Sequence, residues 1–348
     1  MKSVPTLLVM AATAVFCTMQ TAFGVDDQTL TSKHGGTLLQ FDFNGDNPWP
    51  QASAVNATLS FGPTGTIDEA KSTQASGGLL LSADGAPEGD KTARLASGPL
   101  PIRNTEKDLG KLTLAFSLSA SMARPVVVHI ESLDANKQRT GGLETTIYPA
   151  APDFYQRYAL DLSTMQPAGA GLFQPADPFV QLGFEVGHGW PAGAEHELRV
   201  DNVHFASPAF YVSPNGDDKN DGRSETTAFA NPQKAVDVAG PGDIILVMNG
   251  TYKPVSVQGG VASFQRGGTP AAWIVLKNYP QHKPLFFVTG AWAGVRVGRP
   301  KGAPSSAGQV WPTLCYIEVR GLHVRGEADV AKEKYPDLIN KADPHTNG

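Results

Sequence analysis

The fold is decided by residues Phe210 to Tyr252, which read FYVSPNGDDKNDGRSETTAFANPQKAVDVAGPGDIILVMNGTY. The opening residues, Phe210 to Val212, have the composition of a short strand, and the Asn-Gly and Asp-Gly pairs in the polar loop after them are typical of turns. Residues Asn231 to Ala239 place apolar side chains on one helical face, which predicts a short helix. A Pro-Gly-Asp break follows, and the apolar run Ile244 to Met248 then has the length of a buried strand.

This order of motifs resembles the entry segment of secreted right-handed parallel β-helix proteins of the pectate-lyase type. In that superfamily a YVSPNG strand, a DG loop, a capping helix and a PGD break lead into the first coil, which ends in GTY. The resemblance implies that residues 210–348 are the N-terminal part of such a β-helix, with the helix covering the open end of the stack. A generic strand–helix–strand unit is the alternative interpretation.

Short strand-like runs recur beyond Tyr252, as stacked coils require. We predict strands at Val255–Val257, Trp273–Asn278, Pro284–Val288, Gly294–Val297, Cys315–Val319 and Leu322–Val324. The sequence from Trp273 to Leu285 resembles the second coil of the same superfamily, and the sequence from Tyr316 to Val324 resembles its next coil. Only two or three coils precede a polar segment, Gly326 to His345, whereas a solenoid needs several repeats and a second cap. We therefore expect a C-terminally truncated β-helix.

Residues 1–24 have the features of a secretory signal peptide. Lys2 precedes an apolar core, Leu7 to Phe16, and small residues lie near Gly24, where cleavage is expected. The apolar run is too short to span a membrane. We therefore expect a secreted or periplasmic protein. Cleavage would leave Cys315 as a single cysteine, which cannot form an internal disulfide.

The chain is mildly acidic, with a formal net charge of −5 that becomes −6 when Lys2 is removed with the signal peptide. It has no basic stripe of the kind that binds nucleic acid. Binding of an anionic polysaccharide would therefore depend on a local basic patch or on a bridging cation. We expect a monomer whose partner is a polysaccharide.

Residues 36–207 are predicted to form a separate β-sandwich of the jelly-roll type. Short runs that alternate apolar and polar residues, separated by turns, are typical of that architecture. The predicted strands are Thr37–Phe43, Gly78–Ser82, Lys111–Leu118, Val126–Glu131, Phe154–Asp161, Val180–Gly187 and Glu197–Phe205.

The two ends of this predicted sandwich resemble jelly-roll carbohydrate-binding modules. Leu39 to Phe43 is similar to their first strand, and Leu198 to Phe205, with its Val-Asp-Asn-Val sequence, is similar to their last. In many such modules acidic residues on these two strands hold a structural calcium ion. The resemblance therefore implies Asp42 and Asp201 as calcium ligands, with Asp46 as a nearby substitute, since calcium prefers oxygen ligands. The alternative is that these are ordinary outward-facing residues.

Exposed aromatic rings that stack on sugars are the expected means of glycan binding. Trp190, in a Gly-His-Gly-Trp-Pro loop, is the first candidate, and Trp49 and Tyr155 follow it. Each of these rings has burial in the core as its alternative.

Catalytic residues are not assigned. A β-elimination needs a uronate carboxylate to be neutralised, usually by calcium, and a base such as lysine or arginine to take the C5 proton. The acidic loop Asn215–Gly222 lacks the spacing of an EF-hand and has an Asx-bonded turn as its alternative. His323 is expected to be structural. Charged residues of the polar tail are candidates for a cleft or for a solvated loop: Lys332, Lys334, Lys341, Asp343 and His345.

The sequence thus predicts an exported, all-β protein with a jelly-roll sandwich followed by the start of a right-handed parallel β-helix. For the complete protein we expect calcium-dependent cleavage of an acidic, pectate-like polysaccharide by β-elimination, with the sandwich holding it on its substrate. A β-helix glycoside hydrolase is the nearest alternative, and a non-catalytic carbohydrate-binding or cell-surface protein is the third. The catalytic groups would then lie beyond Gly348, so that the chain itself is expected to be inactive.

Overall fold

The structure is a computed structural model that describes residues 34–43, 49–63, 77–83, 92–187, 196–256, 259–291, 293–298 and 316–326. The chain changes its mode of strand pairing once along this length. All pairings up to residue 206 are antiparallel, and the paired strands from residue 210 onward are parallel. We call these two parts the sandwich and the parallel region. The change lies between residues 206 and 210, where the predicted sandwich ends and the predicted β-helix begins.

The sandwich consists of two antiparallel sheets around one apolar core. Sheet 1 has the order β10-β7-β13-β4-β3, with β1 also paired to β13, and sheet 2 has the order β11-β9-β8-β12-β5-β2, with β6 also paired to β12. The strands are β1 (Thr37–Phe41), β2 (Ser53–Val55), β3 (Thr58–Pro63), β4 (Gly77–Ala83), β5 (Ala93–Ala96), β6 (Leu100–Pro101), β7 (Thr113–Ala120), β8 (Val126–Leu133), β9 (Arg139–Ile147), β10 (Gln156–Asp161), β11 (Gln166–Pro167), β12 (Phe179–Val186) and β13 (His196–Ala206).

Alternation along the strands explains why the sheets pack face to face. On β7, Leu114, Phe116 and Leu118 are in the core, and their neighbours in sequence point to the opposite face. The seven strands predicted for the sandwich are confirmed, each within two residues at either end. The two-sheet sandwich is therefore confirmed as well.

Strand β9 was not predicted, because glycines weaken the strand pattern of its sequence RTGGLETTI. The first of them, Gly141, meets a crossing segment. A Cβ atom there would lie 2.1 Å from backbone atoms of Leu172, so only glycine permits this close approach. The residue that obscures the strand in the sequence is thus required by its packing.

The parallel region contains three small sheets. Sheet 3 has the order β14-β15-β18-β21, sheet 4 has β16-β19-β22, and sheet 5 pairs β17 with β20. The chain visits the sheets in turn, since β15, β16 and β17 are followed by β18, β19 and β20, each parallel to its predecessor. The elements are β14 (Phe210–Val212), α1 (Pro232–Val238), β15 (Ile244–Val247), β16 (Thr251–Tyr252), β17 (Gly260–Phe264), β18 (Ile274–Asn278), β19 (Leu285–Val288), β20 (Ala293–Val297), β21 (Ile317–Arg320) and β22 (His323–Gly326).

The strand–loop–helix–strand order predicted for residues Phe210 to Tyr252 is confirmed. Helix α1 has Pro232 at its first position, where a missing N–H has no cost, and it buries Ala235 and Val236. The Asp-Gly pair forms the predicted turn, because Gly222 has φ +71° and a Cβ there would lie 2.3 Å from a ring carbon of Phe229.

One predicted strand of the parallel region is wrong. Val255 and Ser256 lie outside the strands, Val257 lies outside the described residues, and the next strand begins only at Gly260, the second residue of a Gly-Gly pair. Cys315, the predicted signal peptide and the polar tail after Gly326 lie outside the described residues. Within the described ranges, no helix has the length and apolar character needed to cross a membrane.

Sheet 3 packs against the outer face of sheet 1, so that sheet 2, sheet 1 and sheet 3 form successive layers. Alternation again provides the contact. Ile245 and Val247 of β15 face the core of the parallel region, whereas Ile244 and Leu246 pack with Ala206 of the sandwich. The outer face of sheet 1 is therefore partly covered by sheet 3, whereas the outer face of sheet 2 lies on the far side of the sandwich from sheet 3.

Candidate functional site

The open outer face of sheet 2 carries the largest cluster of interacting polar side chains on the described part of the sandwich surface. On β8, Val128 and Ile130 point into the core, and the alternation turns His129 and Glu131 outward. Strands β5, β9 and β12 flank β8 and contribute to the same face. We call this surface the open face.

Glu131 is the centre of the open face. Its carboxylate accepts hydrogen bonds from Arg94 Nη2 at 3.3 Å, Arg139 Nε at 3.1 Å and Gln181 Nε2 at 3.2 Å. Arg139 also donates to the backbone carbonyls of Ala168 and Ala170, which fixes its guanidinium plane. Because several bonds orient these side chains, the planar groups are held in place before any ligand arrives.

His129 lies between two further carboxylates on the open face. Its ring nitrogens are 3.5 Å from Glu144 and 3.6 Å from Glu185. Burial lowers the pKa of His129, and the nearby Arg94 guanidinium lowers it further, against the opposing effect of the carboxylates. A neutral imidazole offers one donor and one acceptor, as a sugar hydroxyl does.

Two glycines form the floor beneath the arginines. A Cβ atom at Gly183 would lie 3.2 Å from Arg94 Nη2 and 3.3 Å from His129 Cβ, and one at Gly142 would lie 2.6 Å from Arg139 Nη2. The guanidinium groups therefore lie directly over the strands at these two positions. Together, the glycines and the flat guanidinium groups make a shallow platform with fixed hydrogen-bond donors and acceptors.

Aromatic rings lie at the edge of the open face. Tyr148, the residue after β9, is 68% exposed, and Phe179 at the start of β12 is half-buried with Lys137 Nζ 5.6 Å from its ring centroid. Of the rings proposed from the sequence, Trp49 is fully buried against Phe41 and Phe43, and Tyr155 is 4% exposed. Their burial corrects the expectation of exposed stacking faces, because each ring fills a gap in the packing.

The third predicted ring, Trp190, lies outside the described residues, and so does Asp46. The other two predicted metal ligands lie on the first and last strands of the sandwich, as expected. Asp42 follows β1 and is half-buried, while Asp201 on β13 is fully buried. Asp201 Oδ1 accepts the backbone N–H of Asn202 at 2.6 Å, at a bulge where Asn202 has φ +51°.

The oxygen ligands on the first and last strands of the sandwich are of the type that suits a hard cation. Gln40 is paired with His204 of β13, and its buried Oε1 atom has no hydrogen-bond partner among the described residues. An amide oxygen and carboxylates are ligands that calcium prefers. The described residues contain no group of three or more His, Cys, Asp or Glu side chains placed to hold a metal ion, so a complete set would need a further ligand.

The acidic loop Asn215–Gly222 is a set of Asx-bonded turns. Asp217 accepts the backbone N–H of Lys219, and Asp221 accepts the backbone N–H of Arg223, each two residues further on. Asp218 joins the loop to the start of α1 by accepting the backbone N–H groups of Ala230 and Asn231. The alternative given for this loop is therefore confirmed. His323 is exposed on β22, which corrects the expectation of a structural histidine on an apolar strand.

The Glu131 cluster was not predicted from the sequence. Its members come from β5, β8, β9 and β12, and their proximity depends on strand register. The one available signal was the alternation of β8, where His129 and Glu131 separate buried aliphatic residues.

No family model matches the chain, and no curated protein matches it. Similar solved structures include a family 11 carbohydrate-binding module from Clostridium thermocellum in complex with a β-1,3-1,4-mixed-linked tetrasaccharide. It is 14% identical, the match covers 49% of this chain and 95% of that one, and the TM-score is 0.34. A family 30 carbohydrate-binding module is 14% identical over 49% of this chain and 99% of its own, with a TM-score of 0.34. An exo-β-agarase is 15% identical over 50% of this chain and 25% of its own, with a TM-score of 0.35. These identities and TM-scores are low.

Proposed function

We propose that the sandwich binds a polysaccharide on the open face of sheet 2. The observation that carries this proposal is the cluster in which Arg94, Arg139 and Gln181 converge on Glu131 above a glycine floor. On sheet 1, part of the outer face is covered by sheet 3, through Ala206 and through the bonds of Lys277 to Thr113 and Asp161. Exposed Tyr148 adds a ring that can stack on the apolar face of a sugar.

The open face has the properties that recognition of sugar hydroxyls requires. Each vicinal hydroxyl pair both donates and accepts hydrogen bonds, and the cluster presents N–H donors beside carboxylate acceptors. The side chains are already bonded to each other, so little side-chain entropy is lost on binding. Water-mediated contacts would extend the same pattern along a chain.

Affinity electrophoresis and calorimetry against soluble polysaccharides test the proposal. We expect Arg94→Gln and Gln181→Ala each to weaken retention by about tenfold, since each removes a hydrogen bond to or beside a charged group. Arg199→Gln is the matched control, because Arg199 is on sheet 1 and bonds Glu197 at 2.6 Å. Equal retention of all three variants and the wild type would reject the open face as the binding site.

We also propose that the sandwich holds a structural calcium ion through Asp201, Asp42 and Asp46, with Gln40 as an additional oxygen ligand. The buried carboxylate and the buried amide oxygen support this. Calcium would supply positive charge that joins the first and last strands. We expect a chelator to lower the melting temperature of the wild type and to have no effect on Asp201→Asn or Asp42→Asn. An unchanged melting temperature of the chelated wild type would argue against the ion.

For the parallel region we propose a right-handed parallel β-helix of an exported polysaccharide lyase that acts on an acidic glycan. The three parallel sheets visited in turn, with α1 next to the first strands, support this architecture. A lyase produces unsaturated sugars that absorb in the ultraviolet and loses activity with chelator. A β-helix hydrolase produces new reducing ends without that absorbance, and a binding protein retains glycan and gives neither product. Assays on the full-length gene product distinguish the three.

A further inference from the structure

A polar groove in the parallel region lies between α1 and sheet 5. It has a volume of about 440 Å³, within the usual range for small-ligand sites, and it is lined by the parallel region alone. Its charged lining residues are Arg266, Arg296 and Asp237. Among the described lining residues, two carry a guanidinium group and one carries a carboxylate, on a chain whose net charge is −5.

The wall formed by α1 is fixed to the sheet by one side chain. Gln233 Nε2 donates to the backbone carbonyl of Ser263 at 3.1 Å, and its Oε1 accepts the backbone N–H of the same residue at 2.7 Å. The amide therefore pairs with β17 as another strand would. Because both backbone groups of Ser263 are satisfied, the distance between the helix and the sheet is set before a ligand enters.

One arginine of the groove lies on β20, and the other lies just after β17, the strand that pairs with β20. Arg296 of β20 is in register with Ser263 of β17, and Arg266 follows β17 after one residue. Arg266 Nη1 donates to the carbonyl of Ala239, the residue that ends α1, at 3.2 Å. This bond holds the guanidinium group at the groove. A guanidinium group has further N–H donors, which can bind a ligand.

We propose that this groove binds the carboxylate groups of an acidic oligosaccharide. Guanidinium groups bind carboxylates through paired hydrogen bonds, and the hydroxyl of Ser256 and the amide of Gln265 are suited to the sugar hydroxyls. Exposed Val255 provides an apolar wall for the sugar ring. The inference deepens the proposed acidic-glycan function of the parallel region and is independent of the open face.

Calorimetry with trigalacturonate, and with the same oligosaccharide methyl-esterified, tests the groove. The ester keeps the shape of the sugar and removes its charge. We expect the acid to bind the wild type at least about tenfold more tightly than the ester, and this preference to fall as salt is raised. We expect Arg266→Gln and Arg296→Gln each to lose about tenfold in affinity for the acid.

The controls separate the groove from other cations and from misfolding. Lys253→Gln removes an exposed cation of the same region, outside the groove lining, and should bind as the wild type does. Arg296→Lys keeps the charge and loses the planar fork, so it should bind with intermediate affinity. Equal binding of acid and ester, or full affinity in both glutamine variants, would overturn the proposal. Arg94→Gln should leave this binding unchanged, so failure here and failure of the open face are measured separately.

Discussion

The two outer faces of the sandwich follow the same strand alternation and yet have opposite environments. Sheet 1 uses small residues where sheet 3 packs on it, among them Ala115, Ala159 and Ala206. Sheet 2 carries long charged residues on its open face, which bond to each other at the surface. The same alternation of inward and outward residues therefore forms an interface with sheet 3 on sheet 1 and a polar surface on sheet 2.

Charges occur on both faces, and the most deeply buried of the described lysines lies between sheets 1 and 3. Lys277 of sheet 3 is 2% exposed, and its Nζ donates to Asp161 at 2.6 Å and to the Thr113 hydroxyl at 2.9 Å. Arg320 bonds the same carboxylate at 2.8 Å. The Lys277 ammonium is thus shielded from solvent, whereas Arg94 and Arg139 on the open face are 32% and 31% exposed and are accessible to a ligand. We therefore interpret an ion pair with a deeply buried partner, such as Lys277, as structural, and pairs with partly exposed partners as available for binding.

Removal of the enclosed carboxylate should have the largest effect on stability. Asp161→Asn would leave Lys277 buried without its counterion, and loss of one partner of a buried pair costs about 3–5 kcal/mol. Urea unfolding, followed by fluorescence, measures the change. The double variant Asp161→Asn with Lys277→Met should recover much of it, because the buried charge is then absent. A loss for Asp161→Asn below about 1 kcal/mol, as for a surface pair, would show that the interface is hydrated.

The histidines of the two faces should differ in their pH dependence. Burial, together with the nearby Arg157 guanidinium, lowers the pKa of His204 to about 3. The unfolded chain therefore takes up this proton first, so stability is complete above pH about 6.5 and is lost as the pH falls toward 3, by about 1.4 kcal/mol per unit. For His129 the pKa is also lowered by burial, but Glu185 and Glu144 oppose the shift. Unfolding between pH 7 and 4 should thus become less pH-dependent in His204→Gln than in His129→Gln.

An equal change of the free energy of unfolding with pH in these two variants would contradict the predicted difference between the histidines. Each variant serves as the control for the other, since both remove one buried imidazole from an outer face of the sandwich. The carboxylates that titrate in the same range are common to both proteins and cancel in the difference.

The sequence predicted the elements well and the surfaces poorly, for physical reasons. Alternation within one strand is a local property, so β7 and β13 could be placed within two residues. Whether an aromatic ring such as Trp49 is buried depends on what packs over it, and the sequence does not show this. The Glu131 cluster depends on the register of four strands, from Arg94 on β5 to Gln181 on β12.

Glu131→Gln should affect binding more than stability. Glu131 is partly exposed and its pairs with Arg94 and Arg139 lie at the surface, so we expect a loss of about 1 kcal/mol or less in the free energy of unfolding. Polysaccharide retention should fall about tenfold, because the two guanidinium groups lose their common acceptor and their fixed orientation. A stability loss as large as that of Asp161→Asn would mean that the open face is also an interface in the native protein.

Gly183→Ala should have the smallest effect on stability and still change the open face. Its Cβ would lie 3.2 Å from Arg94 Nη2 and 3.3 Å from His129 Cβ, and small shifts of these neighbours relieve both contacts, so we expect a change within about 0.5 kcal/mol. Retention should fall a few-fold, since Arg94 is displaced from Glu131. Gly326→Ala is the matched control, because a Cβ there meets no atom within 4 Å. If Gly183→Ala binds as Gly326→Ala does, the position of Arg94 over the glycine floor does not contribute to recognition, and the site must be sought at the rings near Tyr148 instead.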